Sequence, residues 1–233
     1  QSPKHFPYIP GGDISGIVIE ADDKSKFSRG DEVYAMFELP RPLNGLAEYA
    51  VVNECNVAHK PKTLSFVEAS CLPSSAVTAM LAVKRYVNPG DRILVLGGSG
   101  GVGSFLLQFA KEAGASYIAT TTSDGATMLK SPPFDIDRII DYRIENWWEI
   151  ESFQSYPFDI IVDLAVGRDA WIKAYTSKTL KCSRMGGRFI GVTMDEPLGE
   201  IHSAWQALTK IGNMQWRSVW TSLGIKPISS KYP

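Results

Sequence analysis

Six consecutive residues carry the clearest chemistry in the chain: Gly98-Ser99-Gly100-Gly101-Val102-Gly103 spells G-x-G-x-x-G. Alone the pattern is weak. Here it directly follows an apolar run, 92–96, and opens an amphipathic one, 102–113, and that strand-to-helix context gives it meaning. Gly98 is expected to let the chain turn sharply out of the strand. Gly100 lets backbone approach a pyrophosphate with no side chain in the way, and Gly103 lets the helix lie close to the sheet. N–H groups and the dipole at the helix start favour anionic phosphates, so Ser99, Gly101 and Val102 complete the expected dinucleotide cradle. The plainer alternative is a glycine-rich turn that binds nothing.

The end of the next strand bears on which dinucleotide. An NAD-specific site ends its second strand with an acid on the ribose hydroxyls. This strand ends Thr120-Thr121-Thr122-Ser123, with Asp124 only afterwards. Small hydroxyls at Thr121 and Ser123 leave room for a 2′-phosphate and do not repel it, so NADPH is favoured over NADH. Lys130 and Arg143 are the nearest basic candidates. Asp124, ahead of GATMLK, reads as a helix N-cap.

These residues need a scaffold, and the chain has two textures. Residues 1 to about 75 are short apolar runs between Gly, Pro and Asp: DISGIVIEA, SRGDEVYAMF and LAEYAVVN read as three strands of an antiparallel, barrel-like half. From about Pro73, helices and strands alternate. SAVTAMLAVKRY and VGSFLLQFAKEAGA have helical spacing, the second stopping at Gly114. RILVLGG, SYIATTT, DRIIDY, FDIIVDLA and GGRFIGVTM are Val/Ile-rich strands. Such strands interleaved with helices make a parallel, doubly wound α/β sheet.

Composition narrows the function classes. The 233 residues are 44% hydrophobic and 21% charged, which excludes a disordered or fibrous chain. Lys+Arg 24 against Asp+Glu 25 leaves a net charge of −1, with no electrostatic footprint for nucleic acid. Cys55, Cys71 and Cys182 are scattered, and no Cys/His pair has zinc-ligand spacing. His5, His59 and His202 are isolated and read as surface or capping residues; no metal is expected. No apolar run approaches the ~20 residues that span a bilayer. The first residues, QSPKHFPYIPGG, are not a signal peptide. Without an initiator Met, the chain reads as starting inside a longer product. Trp147-Trp148 and Trp216/Trp220 read as core first and partner surface second. Asp22–Lys26 reads as a solvated turn, and Asp13 and Glu48 do not make a convincing acid pair.

The order of these motifs resembles the zinc-free quinone-oxidoreductase (zeta-crystallin-like) branch of the medium-chain dehydrogenase/reductase superfamily. FPYIPGGDISGIV, RGDEVYAM, LAEYAVV, LPSSAVTAMLAV, VLGGSGGVGSFLLQFAKEAGA, IIDYR, FDIIVDLAVGRDAW and GGRFIGV follow in family order. NVAHKPKTLSFVEASCLP and MQWRSVW are similar to the mitochondrial reticulon-interacting oxidoreductases within that branch. The resemblance implies a partial GroES-like barrel over 1–75, a Rossmann domain over 76–220, and the start of a return to the barrel over 221–233. It implies Thr78, Gly191 and Val192 beside the nicotinamide and Tyr142 near the 2′-phosphate. Gly12 stands where zinc-dependent relatives carry a ligand His. Gly125 or Ala126 stands where quinone reductases place a basic residue, and the loop 163–167 holds one residue more than their D-x-V-G. Relatives also carry further barrel strands before and after the portion matched here.

The function so implied is NADPH-dependent hydride transfer to a quinone or α,β-unsaturated carbonyl, with no general acid named. The alternative is an accessory subunit of a larger, mitochondrial assembly that keeps the fold without catalysis. A mitochondrial or cytoplasmic address and a homodimer or larger complex complete the expectations.

Overall fold

The computed structural model describes residues 8–37 and 43–192, all within one compact unit, Gln1–Asp195. The N-terminal part builds a three-stranded antiparallel sheet from β1 (Asp13–Ile17), β2 (Glu32–Met36) and β3 (Val57–His59), with β2 in the centre. Ser15 faces Tyr34 and Ala35 faces both Ile14 and Val57. Two of the three expected strands are present. The third is displaced: residues 46–49 of LAEYAVVN form bends, and β3 lies further on. Leu46, Tyr49 and Val51 are largely exposed. Among the described residues no neighbouring strand pairs with this run, and alternation alone does not make a strand without a ladder to join.

The short helix α1 (Phe66–Ala69) carries the capping box Ser65/Glu68. α2 (Pro73–Tyr86) begins with Pro at its first position and has no side-chain cap of its own. Its N-terminus is met from β1. The Asp13 carboxylate accepts the Ser74 backbone N–H at 2.9 Å and the Ser74 hydroxyl at 2.5 Å. Asp13 is therefore a helix cap delivered across 61 residues of chain. We expect Asp13→Ala to lower stability by about 1 kcal/mol. A urea midpoint unchanged by the substitution would show that the helix does not depend on it.

The rest of the described chain is a five-stranded parallel sheet: β4 (Arg92–Leu96), β5 (Tyr117–Thr122), β6 (Arg138–Asp141), β7 (Ile160–Asp163) and β8 (Arg188–Gly191) in spatial order β6-β5-β4-β7-β8. β4 explains why its residues are apolar on both faces. Ile93 and Val95 point to α2 and α3 (Gly101–Glu112), meeting Ala79, Val83, Leu106, Leu107 and Ala110. Leu94 and Leu96 point the other way. There Phe153 of α5 (Glu151–Ser155), Ala170 and Ala174 of α6 (Arg168–Thr176), Trp147 and Phe158 cover them. Helices on both faces make the sheet doubly wound, as expected from the strand composition. Trp147 is buried, edge-on to Trp148, as its core reading has it. Trp216, Trp220, His5 and His202 lie outside the described residues, as do positions 221–233.

The charged residues at the amino edge of this sheet fasten it. Arg188 holds both oxygens of Asp91 at 3.0 Å and the Tyr86 carbonyl, and Lys181 pairs with Asp159. Burial works to raise the Asp159 carboxyl, but the Lys181 ammonium, the Arg92 N–H and the Arg188 charge outweigh it and hold it below its usual range. The opposite, carboxyl edge carries the glycine sextet.

Candidate functional site

At Leu96 the strand ends, and the turn out of it is made at Gly97, whose φ of +92° suits glycine. Sequence reasoning gave that role to Gly98. Gly98 has a different constraint: a Cβ there would lie 2.0 Å from Thr120 Oγ1 and 2.9 Å from Leu107 Cδ1. The neighbouring Gly-Gly pair was the signal for it, and the fingerprint pattern drew attention to its second member only.

The turn is tied to β5. Gly97 N–H donates to Thr121 Oγ1 at 3.0 Å and Gly98 N–H to the Thr121 carbonyl at 3.1 Å. Thr121 is buried, so its hydroxyl supports the turn. Gly103 packs the start of α3 onto that turn, where a Cβ would come within 2.4 Å of Gly97 O and 2.7 Å of Gly98 Cα. Gly100 differs from both. The nearest atom to its Cβ position is Gly97 O, at 3.5 Å. The fold does not need glycine there, whereas a ligand approaching the helix start would. Gly101 abuts Ser75 of α2, and a Cβ would meet its hydroxyl at 2.9 Å. Thr78 sits one turn further along α2, half-buried. Val102 turns its side chain into the core.

Gly100 is the N-cap of α3, and the helix has neither a side-chain cap nor an acid in its first turn. Its leading N–H groups and positive dipole end suit an anion such as a phosphate. The residues present fit a dinucleotide at this point.

Other predicted residues follow along the same edge. Ser99 accepts a hydrogen bond from Thr122 Oγ1 at 2.7 Å. Ser123 and Tyr142 stand just past the ends of β5 and β6, Tyr142 exposed and its N–H on the Thr122 carbonyl. Gly191 ends β8, and Val192 N–H binds the Asp163 carbonyl at 2.9 Å. β7 ends in Asp163, fully buried. One of its carboxylate oxygens accepts the N–H groups of Ala165 and Val166, and the other that of Gly167 at 2.6 Å. That loop lies against the glycine turn, since a Cβ on Gly97 would be 3.0 Å from the Ala165 Cβ. Sequence reasoning missed Asp163. An acid at a strand end before a short loop was its only signal.

Asp124 does not cap a helix. The short helix α4 (Ala126–Leu129) has Gly125 as its N-cap, without a side-chain bond. The Asp124 carboxylate instead pairs with Arg143 at 2.8 Å. Arg143 also holds both oxygens of Asp141. The Arg143 hydrogen bonds keep the Asp141 carboxyl below its usual range, and Asp141 first, then Asp124, push the guanidinium's pKa up. Gly125 lacks a side chain because a Cβ would fall 2.1 Å from Ser99 Cβ. A basic residue there has no room. Lys130 is exposed at the end of α4.

Among the described residues no group of three or more His, Cys, Asp or Glu could hold a metal ion. Cys55, Cys71 and Cys182 are free and exposed. No described helix is long and apolar enough to cross a membrane.

No protein-family model matches the chain. It is 38% identical over 197 residues to the 2-methylene-furan-3-one reductase of Solanum lycopersicum, which covers 81% of this chain and 47% of that protein. It is 34% identical over 183 residues to the mitochondrial NAD(P)H oxidoreductase RTN4IP1 of Bos taurus, covering 75% of this chain and 45% of that one. The chain thus spans about half the length of the curated relatives it matches. Among solved structures, the quinone oxidoreductase from Coxiella burnetii superposes with a TM-score of 0.65 at 26% identity, over 88% of this chain and 69% of that one. Over the portion it shares with them, with its parallel sheet and separate antiparallel sheet, the chain is similar to these oxidoreductases and has the fold of the quinone oxidoreductase on which it superposes.

Proposed function

We propose that the chain binds NADPH and that the protein it represents is a zinc-free oxidoreductase passing hydride to a quinone or an α,β-unsaturated carbonyl. One observation carries the reading. Strand order reverses at β4, with β5 on one side and β7 on the other, and the uncapped start of α3 lies at the carboxyl end of that strand. In open α/β sheets this switch point is where dinucleotides bind.

Gly98, Ser99, Gly100, Gly101, Val102 and Gly103 would hold the pyrophosphate through backbone N–H groups. Thr121 positions their turn, while Ser123 and Tyr142 flank the ribose. Thr78, Gly191 and Val192 would border the nicotinamide. The reduced nicotinamide supplies the hydride, and the residues around it orient the ring and exclude water. The relatives' names, a furanone reductase and an NAD(P)H oxidoreductase, favour catalysis over an accessory-subunit role. We place the domain boundaries at 75 and 220, and the address as mitochondrial or cytoplasmic, with a homodimer or larger complex as the assembly.

Titrating NADPH and NADH into the chain, read by nicotinamide fluorescence and thermal shift, tests the reading. We expect NADPH binding in the micromolar range and, at ~100 times its Kd, a Tm rise of about 5 °C. Oxidation of bound NADPH by a quinone or enone should follow. Binding of neither dinucleotide would sink it.

A further inference from the structure

β5 and β6 end side by side, with Thr122 opposite Asp141. The residues that leave them, Ser123-Asp124 and Tyr142-Arg143, therefore emerge together. Three nitrogens of the Arg143 guanidinium are engaged. Nε and Nη2 donate to the two oxygens of Asp141 at 3.0 and 2.8 Å, and Nη1 donates to Asp124 at 2.8 Å.

The two acids hold it differently. Asp141 grips as a fork, also accepts the Arg143 backbone N–H, and has a side chain only 24% exposed. Bidentate pairs of this kind are strong and directional. Asp124 makes a single contact from a side chain 87% exposed, and such pairs are weak and exchange readily with other anions. Asp141 therefore aims the guanidinium, and Asp124 occupies Nη1, the one nitrogen that Asp141 does not hold.

In a sheet of this topology the end of the second strand is where the adenine ribose is read. An acid there suits free hydroxyls, and an arginine suits a 2′-phosphate. This chain has both, bound to each other. The two other positions that could supply a base do not compete with Arg143. Gly125 has no room for a side chain, and Lys130 lies a helix away.

We propose that Asp124 is a specificity-determining residue that holds down the preference for NADPH over NADH, by occupying the Arg143 nitrogen that a 2′-phosphate must take. Binding of the phosphate displaces Asp124, while Asp141 stays in place. Without the phosphate, Asp124 remains as an acid beside the ribose and keeps NADH acceptable. The proposal rests on the dinucleotide reading above and deepens it.

The test is calorimetric titration of the full chain with 2′,5′-ADP and 5′-AMP, alongside NADPH and NADH. Asp124→Asn should tighten 2′,5′-ADP by about three- to tenfold and leave 5′-AMP unchanged or weaker. Asp124→Ser should give the same shift. Arg143→Gln should weaken 2′,5′-ADP by about tenfold, and Asp124→Asn should then have no effect in that background. A wild-type chain that binds NADPH, with an affinity ratio unmoved by either Asp124 substitution, overturns the proposal alone. So does an Asp124 effect that survives without Arg143. A chain that binds neither dinucleotide overturns the underlying reading and this proposal together.

Discussion

Gly103→Val should destabilise the chain by about 3 kcal/mol or more, whereas Gly100→Asp should leave it at least as stable as wild type and sharply weaken dinucleotide binding. The contrast comes from what each added side chain would meet. At Gly103 a Cβ enters backbone: Gly97 O at 2.4 Å and Gly98 Cα at 2.7 Å. Neither can rotate away, so α3 would have to lift off the turn and loosen the packing of Leu106, Leu107 and Ala110 on β4. At Gly100 the Cβ has ordinary contact with Gly97 O at 3.5 Å, and φ −75°, ψ 172° is the extended conformation that suits an N-cap.

An aspartate at position 100 would cap α3, adding up to about 1 kcal/mol. It would also place a carboxylate at the proposed pyrophosphate site. NADPH affinity should fall at least ~100-fold, from lost N–H donors and charge repulsion. Guanidinium midpoints and NADPH titration of both variants separate the effects. A Gly100→Asp chain that is well folded and still binds NADPH tightly would show that the helix start is not the phosphate site.

The difference between these glycines also shows how far sequence alone reaches. The fingerprint was legible because its spacing encodes a strand-turn-helix unit, and the five parallel strands were legible because burial on both faces demands continuous Val/Ile runs. Less legible was anything that depends on packing between distant segments. The positive φ fell one residue earlier than the pattern implied, at Gly97. Asp124 carried the local signature of an N-cap, but Arg143, 19 residues on, competes for it successfully. LAEYAVVN alternates well enough for a strand, yet pairing is a property of the neighbour and not of the run itself. Asp13 looked like an unconvincing catalytic acid because its partner, the open end of α2, is 61 residues away. In each case the residue type was visible and its partner was not.

Asp163 is the most consequential of the residues whose partners were hidden, and its loss should be costly. Asp163→Ala is expected to lower stability by about 3–4 kcal/mol, and Asp163→Asn by about 2 kcal/mol. The carboxylate is fully buried, and three successive backbone N–H groups, from Ala165 to Gly167, point at it. Gly167 is also the N-cap of α6, so the charge faces the positive end of a helix dipole. Alanine leaves the three donors without their acceptor, that of Gly167 in a buried place. Asparagine restores one oxygen but turns its NH2 toward an N–H group.

The damage should extend to the site. The loop that Asp163 gathers lies against Gly97, and the Asp163 carbonyl holds the Val192 N–H at the end of β8. Releasing it loosens both walls of the crevice at the switch point, so NADPH binding should weaken even at temperatures where the variant remains folded. Thermal unfolding reads the first effect. Amide exchange at Ala165, Val166 and Gly167 reads the second, and should accelerate in both variants well below Tm. If exchange at those amides is unchanged in Asp163→Asn while Tm falls, the carboxylate supports the core and not the loop. The wall of the site beside Gly97 must then be held by the Leu164 N–H bond to the Leu96 carbonyl.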